Sequence, residues 1–419
     1  MTTPAPAPAP APPALPARTD VLVVGAGPAG SACALALARF GLEVLLVDQH
    51  NFPRDKVCGD GLIPDAHAAL KRLGVYDEVA ALAQPVQHVR CVAPRGGHVD
   101  VPGQLSVLPR KVLDHLLVRA AQSAGARLLT PLRFDAPLLE GERVVGGRFL
   151  SSDAACGSAA HEIRARWVVL ATGAMPQALT AAGMCKRHTP SGTAVRAYVK
   201  HEGLSPKIAQ LQVVWHHRMR GGYGWVFPAP GGVFNIGAGL TESHRVEGGK
   251  GRRQGMNLRQ MFDAFCEVHA PAAELMRSGE MLGPLKGAPL RFSLRGATWT
   301  RPGMLVAGEA AGTTYAFTGE GIGKALESGL LAADALRGTP GDDASVQRHY
   351  ENGLRGLQAQ FSLYDSAGRV NRHPWLADLV VWRARRSPRI LRRLAGVLNE
   401  TQSPARLFTL SGVSKLLFE

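Results

Sequence analysis

Short apolar runs separated by glycine turns characterise the N-terminal part of the chain. Residues 20–24 (DVLVV) are rich in β-branched side chains, which predicts a buried strand of a parallel sheet. Residues 31–40 are rich in Ala and Leu and predict a helix that ends at Gly41. Residues 43–47 predict a second strand. This alternation of strands and helices predicts an α/β fold.

A glycine motif joins the first strand to the helix, and it reads Gly25-Ala26-Gly27-Pro28-Ala29-Gly30. Gly25 permits a tight turn, Gly27 lets the backbone approach a pyrophosphate, and Gly30 lets helix and strand pack closely. The helix N-terminus adds free N–H groups that favour an anion. Asp48 follows the second strand, where a carboxylate accepts hydrogen bonds from ribose hydroxyls. Together these features predict a dinucleotide site.

A second glycine-rich turn lies far downstream, between a predicted strand at residues 304–307 and a predicted helix at residues 321–336. Residues 167–170 predict a third apolar strand, and a turn of small residues follows it. The turn residues concerned are Thr172, Gly173, Gly308, Glu309 and Gly312. Two distant glycine turns suit one extended ligand that is held at both ends. FAD needs such a grip, because its flavin end reaches beyond the first site.

Residues 211–240 alternate apolar and polar positions, which predicts sheet strands. They also carry Trp215, Tyr223, Trp225, Phe227 and Phe234. This sheet either walls an apolar slot or forms an ordinary core, and the sequence leaves both open. The adjacent His216 and His217 are expected on opposite faces of a strand, so they do not predict a metal pair.

The two ends of the chain have unusual compositions. Residues 1–18 alternate Pro and Ala and predict a disordered tail, without the apolar run of a signal peptide. From Arg369 onward there are ten basic and three acidic residues, and residues 375–382 and 390–398 are apolar with arginines interleaved. Such helices either pack on the body or rest on an anionic membrane surface. No membrane-spanning segment is predicted, because glycines and a proline interrupt the longest uncharged stretch, residues 21–38.

Composition limits the class of protein. The chain has 419 residues, of which 46% are hydrophobic and 19% charged, which is typical of a globular protein with two or three domains. A net charge of +15 favours acidic partners, but no nucleic-acid-reading motif is present, so nucleic acid is not expected. Six cysteines without CxxC spacing indicate a reducing, cytoplasmic setting. The histidines lack ligand spacing, and no metal is predicted.

Taken together, these motifs resemble the FAD-dependent geranylgeranyl reductase family, within flavoproteins of the p-hydroxybenzoate hydroxylase type. The resemblance covers roughly residues 19–335 and rests most on two elements, PRDKVCGDG at residues 53–61 and YGWVFP at residues 223–228. The wider superfamily normally has Asp where this chain has Glu309, which keeps the charge and adds a methylene.

The resemblance implies an α/β fold with a Rossmann-like FAD-binding domain, a smaller sheet-containing substrate domain and a C-terminal helical region. The FAD-binding domain would be discontinuous, and the substrate domain would cover one side of the flavin. The expected boundaries are 19–85, 105–175 and 290–335 for FAD, 86–104 and 176–289 for substrate, and 336–419 for the C-terminal region.

The resemblance also implies roles for particular residues. Cys58 is the candidate catalytic residue, as a proton donor or an electron-exchanging thiol, although most free cysteines are small buried apolar groups. Arg54 and Lys56 are expected to bind a diphosphate or the flavin, or else to form a solvated turn. Arg110 is expected to contact the cofactor, or else to be a surface arginine. The remaining cofactor-binding candidates are Gly25, Gly27, Pro28, Ala29, Gly30, Asp48, Gly59, Thr172, Gly173, Gly308, Glu309, Gly319, Gly321 and Ile322.

Tyr223, Trp225, Phe227 and Pro228 are expected to line a slot for a lipidic substrate. The function so implied is reduction of C=C bonds in a polyprenyl or related lipid, with electrons from NAD(P)H or a ferredoxin-like protein. The alternative is a flavin-dependent monooxygenase or halogenase, although YGWVFP departs from the WxWxIP of halogenases. A quinone-linked electron-transfer flavoprotein and a flavin-binding module without turnover stay open as well.

Overall fold

The computed structural model describes residues 16–151, 160–241, 243, 257–338, 342–399 and 401–402. Its strands are β1 (Arg18–Val24), β2 (Val44–Val47), β3 (Gly61–Leu62), β4 (Gln84–Val92), β5 (His98–Val107), β6 (Arg127–Leu129), β7 (Leu132–Glu140), β8 (Arg143–Ser151), β9 (Ala160–Leu170), β10 (Gly192–Lys200), β11 (Leu211–Val214), β12 (Gly222–Ala229), β13 (Val233–Leu240), β14 (Glu280–Met281), β15 (Lys286–Leu290), β16 (Thr300–Arg301) and β17 (Met304–Val306). The predicted tail, up to residue 15, and Cys156 lie outside the described residues.

Helices accompany these strands along the chain. They are α1 (Pro28–Arg39), α2 (Pro64–Arg72), α3 (Tyr76–Leu82), α4 (Arg110–Ser123), α5 (Gln177–Ala181), α6 (Leu258–Val268), α7 (Ala270–Ser278), α8 (Ile322–Gly338), α9 (Asp343–Ala367), α10 (Arg369–Arg372), α11 (Trp375–Ala384) and α12 (Pro388–Leu398). Within the described residues, none of them is both long and apolar enough to cross a bilayer.

The first sheet has the strand order β16-β17-β9-β1-β2-β6, and β8 joins its other strands to β7. β1 runs parallel to both β2 and β9, and β17 runs parallel to β9. The predicted strands at residues 20–24, 43–47, 167–170 and 304–307 therefore lie side by side. Their side chains are almost wholly buried, as the uninterrupted apolar runs predict.

Tight contact between α1 and its neighbours explains the first glycine motif. Gly25 has φ +101°, and a Cβ there would lie 2.3 Å from the carbonyl oxygen of Ala171. A Cβ on Gly30 would lie 1.8 Å from the carbonyl oxygen of Gly25. Across the fold, a Cβ on Gly308 in the second glycine turn would approach the Cβ of Ala29 to 2.7 Å. The two turns, far apart in sequence, therefore meet.

The second sheet has the strand order β14-β10-β13-β12-β11-β4-β5-β3, with β15 paired to β10. β10, β12 and β13 form its antiparallel centre, and α6 and α7 pack against it. The alternation in residues 211–240 correctly predicts strands there. The expectation for His216 and His217 is wrong, because a 3-10 turn at His217–Met219 follows His216 instead of a continuing strand.

The C-terminal helices close over the second sheet. Asn371 joins them to it, because its side-chain oxygen accepts from Nε1 of Trp215 at 2.8 Å and its carbonyl accepts from the N–H of Gly221 at 2.7 Å. Apolar side chains of α11 and α12 pack with Val99, Val101 and the aromatic residues of β12. The packed arrangement, one of the two that the sequence left open, is therefore present.

Candidate active site

One large cavity joins the two glycine turns to the second sheet, and its volume is about 860 Å³. Most of the predicted site residues line it: Gly25, Gly27, Pro28, Ala29, Asp48, Arg54, Lys56, Cys58, Gly59, Arg110, Thr172, Gly173, Tyr223, Trp225, Phe227, Gly308, Glu309, Gly319, Gly321 and Ile322. Gly30 and Pro228 are not among its lining residues. Gly30 instead packs against the turn of Gly25, and Pro228 pairs with Phe234 in the sheet.

One end of the cavity, named the phosphate end after its expected ligand, is formed by the start of α1 with Arg54 and Arg110. Gly27 is the N-cap residue of this helix and lines the cavity, and no side chain caps the helix, so the free N–H groups of its first turn favour an anion. A Cβ on Gly27 would lie 3.7 Å from guanidinium nitrogens of both Arg54 and Arg110. A helix N-terminus under two guanidinium groups is well suited to a pyrophosphate.

Asp114 holds both arginines in place. Its side chain is fully buried and accepts two hydrogen bonds from Arg110, at 2.6 and 2.8 Å, and one from Arg54 at 3.0 Å. Burial alone would lower the pKa of Arg110, but the charge and hydrogen bonds of Asp114 raise it above its ordinary value. Asp114 has no role among the sequence-based predictions, although its spacing of four residues from Arg110 on one helix indicates an ion pair.

The residues around this end fit the adenosine half of FAD. The side-chain oxygens of Asp48 accept from the N–H groups of Ala26 at 2.9 Å and His50 at 3.0 Å, and the carboxylate lines the cavity. Among the described residues, Thr172 Oγ1 is a buried oxygen without a hydrogen-bond partner. Since buried polar atoms are nearly always paired, this oxygen indicates a ligand at the cavity wall.

An aromatic row on β12 connects the second glycine turn to the loop of Cys58. Tyr223, Trp225 and Phe227 follow one another with ring centroids 6.2 and 6.3 Å apart. The hydroxyl of Tyr223 donates to the carbonyl of Thr318 beside Gly319. At the other end, a Cβ on Gly59 would lie 3.2 Å from the ring of Phe227. The two discriminating sequence motifs are therefore in direct contact.

The far end of the cavity is apolar. Strands β4, β5 and β11 and the C-terminal helices supply its walls, and no sequence pattern predicts the contribution of the helices. The apolar side chains there are Val89, Val99, Val101, Leu211, Val213, Trp215, Ala377, Val380, Val381, Leu394, Val397 and Leu398. The chamber is thus open to the flavin end and closed above by α11 and α12.

Cys58 is partly buried at the junction of the two ends. Its Sγ accepts the N–H of Asp60 at 3.3 Å, which fixes the thiol against its own loop. Burial raises the pKa of Cys58, and the negative charge of Asp60 raises it further, against smaller opposing effects of Arg110 and Lys56. Cys58 is therefore a protonated thiol at neutral pH and not a thiolate.

Three side chains from other elements surround Asp60, and sequence reasoning did not assign them. Asn235 donates to the carbonyl of Cys58 and to Asp60 Oδ2, both at 2.7 Å, and accepts from Trp225 at 2.9 Å. Tyr198 donates to the same Asp60 oxygen at 2.5 Å, and the guanidinium of Arg196 lies 4.0 Å above the ring of Tyr198.

The described residues contain no cluster of acidic, histidine and cysteine side chains that could hold a metal ion. The fold and the cavity instead define a flavoprotein, with a site suited to a dinucleotide at one end of the cavity and an apolar chamber at the other.

Comparison with known proteins agrees with this class. Residues 18–229 match the family described as FAD binding domain.

Two relatives narrow the class of protein further. The chain is 31% identical over 373 residues to a menaquinone reductase of Mycolicibacterium smegmatis, covering 80% of this chain and 82% of the relative. It is 29% identical over 338 residues to digeranylgeranylglycerophospholipid reductase 1 of Methanopyrus kandleri, covering 78% and 83%. The chain belongs to the FAD-binding domain family and, within it, to the FAD-dependent oxidoreductases of the geranylgeranyl reductase type.

Solved structures show the same fold. A geranylgeranyl bacteriochlorophyll reductase-like protein of Thermoplasma acidophilum superposes with a TM-score of 0.69 at 21% identity, over 96% of both chains. The flavin-dependent brominase Bmp2 superposes with a TM-score of 0.73 at 18% identity, over 96% of this chain and 100% of its own. The fold is therefore that of the p-hydroxybenzoate hydroxylase-like flavoproteins, as the sequence predicts.

Proposed function

We propose that this enzyme reduces C=C bonds in the isoprenoid chain of a lipid. The observation that carries the proposal is the continuity of the cavity. It leads from the phosphate end at Gly27, which we also call the phosphate grip, past Cys58 and into a chamber of aliphatic and aromatic side chains. Such a chamber favours a long apolar chain over a small polar substrate. The names of the relatives, a menaquinone reductase and a digeranylgeranylglycerophospholipid reductase, support a lipid with isoprenoid units.

Different residues of the cavity would bind the cofactor and transfer the proton. Arg54, Arg110 and the start of α1 would hold the pyrophosphate of FAD, and the turns at Gly308 and Gly319 would hold its flavin end. Reduced FAD, bound there, would supply the hydride for one alkene carbon. Cys58 gives its proton to the other carbon, since its thiol is protonated and lies between the grip and the chamber.

The apolar walls contribute by positioning. An isolated isoprenoid double bond is poorly polarised, so its orientation between flavin and thiol must contribute much of the rate. The row Tyr223, Trp225 and Phe227 would align the chain, and α11 and α12 would exclude water from above. The electron donor that reduces the flavin again after each turnover is proposed to be NAD(P)H or a ferredoxin-like protein.

The proposal is tested by reducing the FAD-loaded protein without oxygen and offering prenyl lipids. We expect a geranylgeranyl lipid to re-oxidise the flavin anaerobically, with a product heavier by one hydrogen pair for each bond reduced. A menaquinone and its chain-free analogue menadione are compared in parallel. A saturated chain survives exposure to air, whereas a quinol returns to quinone.

The outcomes separate the competing functions. Re-oxidation by menadione as fast as by menaquinone, with an unchanged chain, would indicate quinone-ring reduction and overturn the proposal. A requirement for oxygen, with a hydroxylated or halogenated product, would establish the monooxygenase or halogenase alternative. Anaerobic bleaching by NADH, NADPH or reduced ferredoxin identifies the donor in the same apparatus.

We also propose that the outer face of α11 and α12 rests on an anionic membrane surface. Trp375 and Trp382 are 54% and 44% exposed, although they are large apolar side chains. Exposed arginines accompany them: Arg372, Arg385, Arg386, Arg389 and Arg392. Interfacial tryptophans beside arginines are typical of helices that lie on a membrane. Since the inner sides of the same two helices line the apolar chamber, a membrane on their outer face would lie next to the chamber.

A further inference from the structure

Asp60 is a buried carboxyl group in the loop of Cys58, and the reduction proposed above does not use it. Its side chain is 0% exposed, and its backbone has φ +64°, a conformation that non-glycine residues seldom adopt. Oδ2 accepts from Tyr198 and Asn235, and Oδ1 accepts from the N–H of Arg110 at 3.2 Å. A carboxyl group held so closely in a strained loop, two residues from the thiol proposed as the proton donor, indicates a functional role.

The groups that face Asp60 come from four elements. Tyr198 and Arg196 approach from β10, the neutral Asn235 from β13, Arg110 from α4, and Cys58 from the loop itself, in which the charge of Lys56 acts on Cys58. Burial raises the pKa of Asp60 to about 6, although Tyr198, Arg196, Asn235 and the N–H of Arg110 all act to lower it. Near neutral pH the carboxyl group therefore exchanges readily between its two protonation states.

Tyr198 is the link from this carboxyl group towards solvent. It is only partly buried, whereas Asp60 is wholly buried, and the two are joined by the 2.5 Å hydrogen bond. A hydroxyl group can accept a proton on its oxygen while it donates its own along such a bond.

We propose that Tyr198 and Asp60 form a proton relay that returns a proton to Cys58 after each reduction. The inference rests on the proposed function, in which the S–H bond of Cys58 breaks and a C–H bond forms on the substrate. The O–H bond of the Asp60 carboxyl group then breaks, and the S–H bond of Cys58 re-forms. Asp60 regains a proton from Tyr198, which takes one from water. No electrons move in these steps.

The direction of transfer follows from the environment of the two groups. The thiol has a pKa above its ordinary value, and that of the carboxyl group lies near 6, so the proton moves from Asp60 to the thiolate. The same transfer removes a negative charge from the buried sulfur next to the chamber.

The test compares the first turnover with later turnovers in the FAD-loaded Asp60→Asn variant. Asn keeps the shape of the side chain and tolerates positive φ. Because Cys58 starts protonated, we expect the first anaerobic re-oxidation by a geranylgeranyl lipid to stay within about twofold of wild type. Steady-state turnover with excess reductant should fall at least about tenfold. The wild-type steady-state rate should decline as pH rises through about 6, and this decline should be absent from the variant.

A second variant and a second readout make the test independent of folding and of lipid turnover. Tyr198→Phe removes a hydrogen bond that lowers the pKa of Asp60, so its steady-state pH profile should be displaced upward and its rate reduced. Without any substrate, alkylation of Cys58 by iodoacetamide, followed by peptide mass spectrometry, should be several-fold faster in Asp60→Asn at a fixed pH. The reason is that Asp60 raises the pKa of the thiol.

The outcomes are distinguishable from failure of the proposed function. If no lipid re-oxidises the wild-type flavin without oxygen, the proposed function fails and the relay fails with it. If lipids are reduced but both variants keep the wild-type steady-state rate and pH profile, the relay alone is overturned. Equal loss of the first and later turnovers in both variants, with unchanged alkylation, would show a structural role and overturn it as well. If Asp60→Asn does not retain FAD, Tyr198→Phe decides.

Discussion

Cys58 occupies the position where the phosphate grip, the aromatic row and the apolar chamber come together. Its partial burial and the neighbouring carboxylate keep the sulfur protonated, which suits an acid and disfavours a nucleophile. The glycines on either side of Asp60 leave room for the rings of β12, so the loop can lie flat against them. The protonation of Cys58 and the position of its loop therefore depend on Asp60, its flanking glycines and the rings of β12.

Replacing Cys58 with Ser should separate binding from chemistry. The hydroxyl group fills almost the same space but is a far weaker acid than the thiol. We expect the Cys58→Ser variant to keep FAD, measured by its visible absorbance, and to lose most of its turnover, at least about tenfold.

Cys266→Ser serves as the matched control, because this cysteine lies on α6 and is not among the residues that line the cavity. It should retain wild-type turnover. Full activity in Cys58→Ser would remove Cys58 from the chemistry.

Asp114 offers a test of the phosphate grip. Asp114→Asn would leave the buried guanidinium of Arg110 without its carboxylate, and it would leave Arg54 with Asp48 alone, at 3.6 Å. We expect a loss of about 3 kcal/mol in the free energy of unfolding and weaker FAD binding, measured by thermal denaturation and fluorescence titration.

Asp100→Asn is the control for this variant. It removes a surface partner of Arg90, with side chains 29% and 38% exposed for Arg90 and Asp100, and should cost no more than about 1 kcal/mol. Equal stabilities of the two variants would contradict the role given to Asp114.

At the scale of helices and turns, the packing of α1 and α8 decides whether the two glycine turns, at residues 25–30 and at Gly308, can come into contact. Gly308 has φ +65°, and Gly329 in α8 lies so close to α1 that a Cβ would meet the carbonyl oxygen of Ala29 at 2.2 Å. These contacts set the distance between the phosphate end and the flavin end of the cavity.

Gly308→Ala should therefore weaken FAD binding and lower stability by at least about 1 kcal/mol, because the new methyl group meets both the strained backbone and Ala29. Gly356→Ala is the control. Gly356 lies exposed in α9, and a Cβ there would have nothing within 4 Å, so alanine should stabilise the helix by about 0.5–1 kcal/mol. Loss of stability in both variants, measured by thermal denaturation, would show a general intolerance of alanine instead.

In the molecule as a whole, the C-terminal helices connect the excess positive charge to the apolar chamber. The helices that close the chamber also carry exposed tryptophans and arginines, so the proposed membrane contact would lie directly outside the chamber. Charge alone explains attraction to an anionic surface, while the tryptophans provide apolar contact.

Removing Arg385, Arg386 and Arg389 together by substitution with Gln should weaken binding to phosphatidylserine-containing vesicles. Each arginine near such a surface contributes about 1 kcal/mol, so the partition coefficient should fall by about two orders of magnitude. Sedimentation with vesicles measures it.

A control variant with Arg148, Arg164 and Arg277 replaced by Gln loses the same charge from other exposed sites and should bind like wild type. Binding to neutral vesicles that equals binding to anionic ones would contradict the proposed surface.

The strands of the first sheet, the glycine motif and the FAD-binding fold could all be predicted from the amino-acid sequence. They depend on local requirements, such as apolar runs and positions where only glycine fits, which are readable wherever they occur. The domain boundaries and the roles of individual site residues stay predictions.

The surroundings of Cys58 and the closure of the chamber, in contrast, depend on long-range packing. Tyr198 and Asn235 are 138 and 175 residues from Asp60, and a polar residue on a strand shows no local sign of a partner so far away. The same is true of α11 and α12, whose amphipathic pattern is satisfied by any apolar surface. The folded chain selects one partner among the many that such a pattern allows.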